Sequence, residues 1–162
     1  MNQEFDIYNA RILIVDDQPV NVALLEQLLQ ETGYRQVSST MSPQTVCAMH
    51  EANNYDLILL DLKMPVMDGF AVMEGLKKSP NDAYLPVIVL TAEPAHKLRA
   101  LQAGAKDFIS KPFDLVEVKT RIYNMLEVRM LYKKLEKYSK LLEYATRQNT
   151  EALSTVKLSS RT

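Results

Sequence analysis

Five short apolar runs alternate with longer stretches in which apolar residues return every three or four positions. The runs lie at Arg11–Val15, Gln36–Thr40, Asp56–Leu60, Pro86–Leu90 and Lys106–Ile109. Leu57-Ile58-Leu59-Leu60 is apolar without alternation, as in a strand buried on both faces. The amphipathic stretches fall near 19–32, 43–53, 69–78 and 95–103, and a last one begins near Asp114. In the first, Val20, Leu24, Leu25, Leu28 and Leu29 form the apolar face, and Gly33 supplies the C-terminal stop. Regular alternation of strand and helix requires right-handed crossovers between parallel strands. The pattern therefore predicts an α/β domain over 1–124, a five-stranded parallel sheet with helices on both faces.

The remainder follows a different period. No Pro or Gly occurs after Pro112, so nothing interrupts a helix from Asp114 to about 157. Val128, Leu131, Leu135, Tyr138, Leu142, Ala145, Asn149, Ala152 and Val156 alternate in steps of three and four, which is a heptad seam. Such a helix would be roughly 65 Å long at the α-helical rise. It is expected to project over 125–158 as a coiled coil, with a frayed tail at 159–162. The seam calls for a second copy of the chain. Asn149 is placed to set its register, while sparse opposite charges at the flanking positions specify its direction weakly.

Charge sharpens this division. Residues 1–114 carry 9 Lys/Arg and 15 Asp/Glu, whereas 115–162 carry 10 and 5. An acidic domain thus bears a basic tail, but no aromatic interleaving accompanies the basic residues, which argues against nucleic acid as a partner. Cys47 is the single cysteine, so it forms no internal disulfide and reads as a small buried hydrophobe. No apolar stretch is long enough to span a membrane, and the N-terminus lacks the features of a signal peptide. A cytoplasmic chain is expected.

The chemistry gathers where strands end. The first strand leads into Asp16-Asp17, the third into Asp61, the fourth into Thr91, and the fifth is followed by Lys111-Pro112. In a parallel sheet these positions share one edge, where ligands of open α/β sheets bind. Two like charges at ~4 Å repel by about 4 kcal/mol at an effective dielectric of 20. A trio of carboxylates therefore protonates a member or takes up a cation. All-oxygen donors without Cys or His select a hard ion, Mg²⁺ above all. Lys111 and the Thr91 hydroxyl could then hold an anion beside it, with an Asp oxygen as nucleophile.

Four segments carry a family resemblance: Ile-Leu-Ile-Val-Asp-Asp-Gln-Pro at 12–19, Leu-Leu-Asp-Leu-Lys-Met-Pro-Val-Met-Asp-Gly at 59–69, Val-Leu-Thr-Ala at 89–92, and Gly-Ala-Lys-Asp-Phe-Ile-Ser-Lys-Pro-Phe at 104–113. Over about 10–125 the chain resembles the receiver domain of two-component response regulators. The resemblance implies strand order 2-1-3-4-5 and Asp61 as the phosphoacceptor, fed by a histidine kinase or phosphotransfer protein. It implies Mg²⁺ held by Asp16, Asp17, Asp61 and the Lys63 backbone carbonyl. Phosphoryl oxygens would meet Thr91, the Ala92 backbone and Lys111, across a cis Lys111–Pro112 peptide bond. Thr91 and Phe108 would form the switch pair, and Glu93 lies where the family tunes dephosphorylation. The face formed by 95–125 and the coiled-coil helix would pass the signal to an output domain or partner, which the sequence does not name.

Taken singly, these residues have plainer roles. Asp16-Asp17 could cap a helix, Lys111 could be a solvated charge, and Phe108 could be core. Asp68 reads as a helix cap, Met41, Met49 and Met73 as core filler, and His50 and His96 have no assigned role. Two competing functions remain: an inert receiver-like head on a coiled-coil scaffold, and an aspartate-nucleophile phosphohydrolase. The latter needs a second acid two residues beyond its nucleophile, where this chain has Lys63.

Overall fold

In the computed structural model the described residues are 5–78 and 84–160. Strands β1 (Arg11–Val15), β2 (Gln36–Thr40), β3 (Leu57–Asp61), β4 (Val87–Thr91) and β5 (Asp107–Ser110) alternate with helices α1 (Pro19–Thr32), α2 (Val46–Asn53), α3 (Gly69–Lys77), α4 (His96–Gln102) and α5 (Leu115–Ser160). All strand pairs are parallel, in the order β2-β1-β3-β4-β5. The three C-terminal strands begin and end one residue later than the apolar runs indicated. Asp61 and Thr91 are consequently the last residues of their strands, held by sheet hydrogen bonds.

Alternation along each strand divides the core in two. Ile12, Ile14, Leu57, Leu59, Ile88 and Leu90 face α1 and the first turns of α5, meeting Leu25, Leu29, Val118, Ile122 and Leu126. Leu13, Val15, Ile58, Leu60, Val87 and Val89 face the other way, onto Val46, Val72, Met73 and Ala100. The central strands are apolar on both faces because both are covered, whereas edge strand β2 has no fully buried residue.

Several side chains depart from expectation. Val20 is 77% exposed and Leu24 borders solvent; Leu25, Leu28 and Leu29 are buried, and Val22 packs at the margin. Val20 and Leu24 thus lie off the face of α1 that carries Leu25, Leu28 and Leu29 to the sheet. Met41 is 52% exposed at the end of β2, although Met73 is buried. Cys47 is only half-buried. Gly33 does end α1: its φ of 113° lets its N–H reach the Leu29 and Gln30 carbonyls.

The chain divides into two units, Met1–Met130 and Leu131–Thr162. Leu126, Arg129 and Met130 are buried in the first, so the globular part continues past residue 124. Arg129 reaches Asp56, the residue before β3, with Nε 3.2 Å from Oδ1, and its guanidinium also donates to the Tyr84 carbonyl. Asp56 Oδ2 accepts the Arg11 N–H at 2.9 Å. In the second unit, Leu131, Leu135, Tyr138, Leu142 and Val156 are all more than half exposed, as are Leu141, Tyr144 and Leu153. Helix α5 continues through Ser160, into the segment expected to fray, and 161–162 lie outside the described residues. No helix among the described residues is long and apolar enough to cross a membrane.

Candidate functional site

Parallel strands deliver the polar residues to one edge. Asp16, one residue past β1, is fully buried, and Asp61 is 4% exposed at the end of β3. Asp16, Asp17 and Asp61 each offer a carboxylate oxygen within 4.8 Å of the others. Among the described residues this is the only such cluster of metal-ligand side chains. Lys111, following β5, reaches between two of them: its Nζ lies 3.2 Å from Asp16 Oδ2 and 3.2 Å from Asp61 Oδ1. The peptide bond from Lys111 to Pro112 is cis.

Local hydrogen bonds fix the carboxylates. Asp16 Oδ1 accepts the Gln18 N–H at 2.9 Å, and Oδ2 accepts from Asn21 Nδ2 at 3.3 Å. The Lys63 N–H donates to Asp61 Oδ1 at 3.3 Å. One ammonium cannot neutralise three acids. Burial and the neighbouring Asp16 charge together raise the Asp61 pKa to about 6, against the opposing pull of Lys111. The donor set contains no nitrogen or sulfur ligand, and its close oxygens suit a small hard cation.

Close packing sets the floor of this site. A Cβ built on Gly69 would fall 2.7 Å from the Asp61 carbonyl oxygen and 2.9 Å from Leu62 Cα. Only glycine lets the start of α3 approach the end of β3 so tightly. The Gly69 N–H donates to the Leu62 carbonyl at 3.1 Å, closing the loop between them. Asp68 caps α3 by accepting the Ala71 N–H at 2.9 Å. Sequence reasoning anticipates that cap but not the close approach at Gly69, nor the support from Asn21. A glycine beside a helix cap carries no local sign that another strand's backbone lies against it.

Thr91 is buried at the end of β4, and its hydroxyl is engaged with Glu93: it accepts the Glu93 N–H at 3.0 Å and donates to the Glu93 carbonyl at 3.2 Å. Ala92 follows, exposed. Phe108 is half-buried against the core containing Val89, with Lys97 Nζ 4.3 Å from its ring centroid. Lys63, two residues beyond Asp61, forms an ion pair with Glu93, whose other oxygen lies 3.2 Å from His96 Nε2. His96, for which the sequence offers no role, is thus part of a three-residue cluster at the rim. His50 is far from this chemistry; its Nδ1 accepts the Tyr55 N–H at 3.1 Å within the core.

Comparison with known proteins supplies the wider context. The family described as response regulator receiver domain matches residues 12–123. Response regulator PleD of Caulobacter vibrioides is 39% identical over 129 residues, covering 78% of this chain and 28% of PleD. This chain therefore spans little more than a quarter of that relative's length. Among solved structures, the receiver domain of sensor histidine kinase PA1611 from Pseudomonas aeruginosa PAO1 has a magnesium ion coordinated in its active site cleft. It is 31% identical with a TM-score of 0.67, covering 74% of this chain and 98% of that one. The signal receiver domain of a signal transduction histidine kinase from Syntrophus aciditrophicus is 36% identical with a TM-score of 0.66, covering 73% and 90%.

Proposed function

The chain belongs to the response regulator receiver domain family, and we propose that Asp61 is its phosphoacceptor in a two-component phosphorelay. The observation that carries this reading is the bridge of Lys111 between Asp16 and Asp61 in a buried acidic cluster. A side-chain oxygen of Asp61 forms the new P–O bond while the P–N bond of a phosphohistidine on the donor breaks. Mg²⁺, held by Asp16, Asp17, Asp61 and the Lys63 carbonyl, would supply charge neutralisation for the incoming phosphoryl group. Lys111 pairs with a phosphoryl oxygen, and the Ala92 N–H donates to another. The Thr91 hydroxyl leaves Glu93 to bind the same group, and Phe108 turns into the space behind it.

The added group brings about −1.5 to −2 charges. It biases the 95–125 face toward a second state, and a change from 1:99 to 99:1 requires about 5.5 kcal/mol of preference. The exposed heptad residues beyond Leu131 support a homodimer through α5, which carries the state to an output domain or partner. An aspartate-nucleophile hydrolase is disfavoured because Lys63, paired with Glu93, stands where that chemistry requires an acid. An inert head is disfavoured because Asp61, Thr91 and Lys111 are all present at the strand ends.

Incubation with acetyl phosphate and Mg²⁺ should add one acid-stable, base-labile phosphoryl group, detected by intact mass. Chelation should abolish it, and so should replacing Asp16 and Asp17 together. Undiminished labelling of Asp61→Asn would refute the assignment.

A further inference from the structure

The edge of the sheet opposite the acidic cluster holds a second recess. Val87 opens β4 and Thr91 closes it, so the two ends lie roughly 13 Å apart at the rise of a strand. At the Val87 end a cavity of about 290 Å³ lies between α3, the start of β4 and the turn from α4 to β5. Its apolar walls include Met73, Leu76, Leu85 and Val87, and its polar walls include Lys77, Tyr84 and Lys106. An apolar cavity of roughly 150 Å³ already admits benzene. This one has room for an aromatic ring with a short polar arm.

The walls are held from behind. The Tyr84 carbonyl accepts from the buried Arg129 guanidinium, and the Tyr84 hydroxyl lies 3.9 Å from Met125 Sδ. The Lys106 N–H donates to the Val87 carbonyl at 2.9 Å. Gly104 turns the chain between α4 and β5 at a φ of 111°, and a Cβ there would fall 3.2 Å from Lys77 Cε and 3.9 Å from its Nζ. The Lys77 side chain therefore crosses this turn and shares the recess with Lys106.

Charge decides which kind of ring fits. Lys106 meets no carboxylate among the described residues, and its Nζ stands 5.3 Å from the Tyr84 ring centroid. Lys77 has only Glu74, at 3.4 Å, with both side chains open to solvent; an exposed pair of this kind contributes little. Asp107, next in sequence to Lys106, is taken by Arg121 at 3.0 Å. The carbonyls of Arg99, Ala100 and Leu101 at the end of α4 are occupied by the N–H groups of Ala103, Ala105 and Gly104, so they do not draw the ammonium groups away. With Lys78 as the C-cap of α3, Lys77, Lys78 and Lys106 face Glu74 alone among the described residues.

We infer that this recess binds a small anionic aromatic molecule, its ring against Leu76 and Leu85 and its carboxylate between Lys77 and Lys106. A carboxylate between two ammonium groups forms charge-assisted hydrogen bonds, while the apolar walls bury the ring. A neutral ring of the same size gains the burial alone, and a cationic one is repelled. The site shares no residue with the surroundings of Asp61 and stands apart from the phosphorylation reading.

The test is a ¹H–¹⁵N NMR titration of the full chain with phenylacetate at millimolar concentration. Phenylacetamide, phenethylamine and inorganic phosphate serve as comparisons for charge and ring. Phenylacetate should move amides of 76–77, 84–87 and 103–106. The amide, the amine and phosphate should each bind at least about fivefold more weakly, the loss expected when a hydrogen bond to a charged group is removed. Replacing both lysines, Lys77→Gln with Lys106→Gln, should weaken phenylacetate to the same degree without changing the melting temperature. The proposal is overturned by absence of shifts at these positions, by equal binding of phenylacetamide, phenethylamine or phosphate to the wild type, or by unchanged binding to the double variant. The comparisons on the wild type decide the matter independently of how the variant folds.

Discussion

Replacing Asp61 by Asn removes a charge that the fold resists. The Asp61 pKa is raised from 3.8 to about 6, mainly by burial and then by Asp16. The native state therefore holds the Asp61 proton more tightly than the unfolded chain. A carboxyl raised in the folded state stabilises the protein when protonated, and that contribution is lost as pH rises from about 4 to about 6. A displacement from 3.8 to about 6 corresponds to about 3 kcal/mol. The substituted amide would still have to accept the Lys63 N–H, so a net gain of about 2 kcal/mol is expected at neutral pH. For a unit of this size that is ~6 °C in Tm. Thermal unfolding of the wild type and Asp61→Asn, in chelator, should give a difference that is near zero at about pH 4 and greatest above about pH 6. Addition of Mg²⁺ should then raise the wild type more than the variant, because the ion binds the folded cluster. An Asn variant that is no more stable at neutral pH, or a difference that does not change with pH, would refute the account of the cluster as strained by its own charge.

Three other outcomes follow from the packing. Arg129→Met leaves Asp56 buried without its guanidinium and should cost about 3 kcal/mol in urea unfolding, with Asp56→Asn in the same chain recovering part of the loss. Gly69→Ala forces a methyl group against the Asp61 carbonyl and Leu62 and should cost about 1–3 kcal/mol; it should also slow phosphoryl uptake from acetyl phosphate, whereas an unaffected rate would show that α3 can yield without moving Asp61. Truncation after Met130 should convert a dimer to a monomer by light scattering and leave phosphoryl uptake intact; a monomeric full chain would refute the seam.

The sheet was legible because both of its faces are covered, so central strands appear as unbroken apolar runs. The site was legible because parallel strands bring their C-terminal ends together, and four such ends carried chemistry. Side-chain directions were less accessible. Val20 and Leu24 fit the helical period as well as Leu25 and Leu28 do, but the period alone does not say which of them the sheet covers. Met41 follows an edge strand whose own residues are only half covered. Arg129 and Asp56 are 73 positions apart, and each alone resembles an ordinary surface charge. Residue 124 seemed a natural limit because the phase of apolar positions changes there, yet α5 remains in the core through Met130.

The bond from Gly69 N–H to the Leu62 carbonyl ties the loop shut at its base. Pro65 and Val66, exposed at the tip, can therefore vary without passing the disturbance to Asp61. The loop tip is insulated from the reaction centre across this single clasp. A lineage could exchange the tip of this loop and acquire new associates while its nucleophile keeps its position. In the laboratory, the same insulation makes the exposed tip at Pro65 and Val66 a place to graft foreign peptides beside an otherwise unaltered reaction centre.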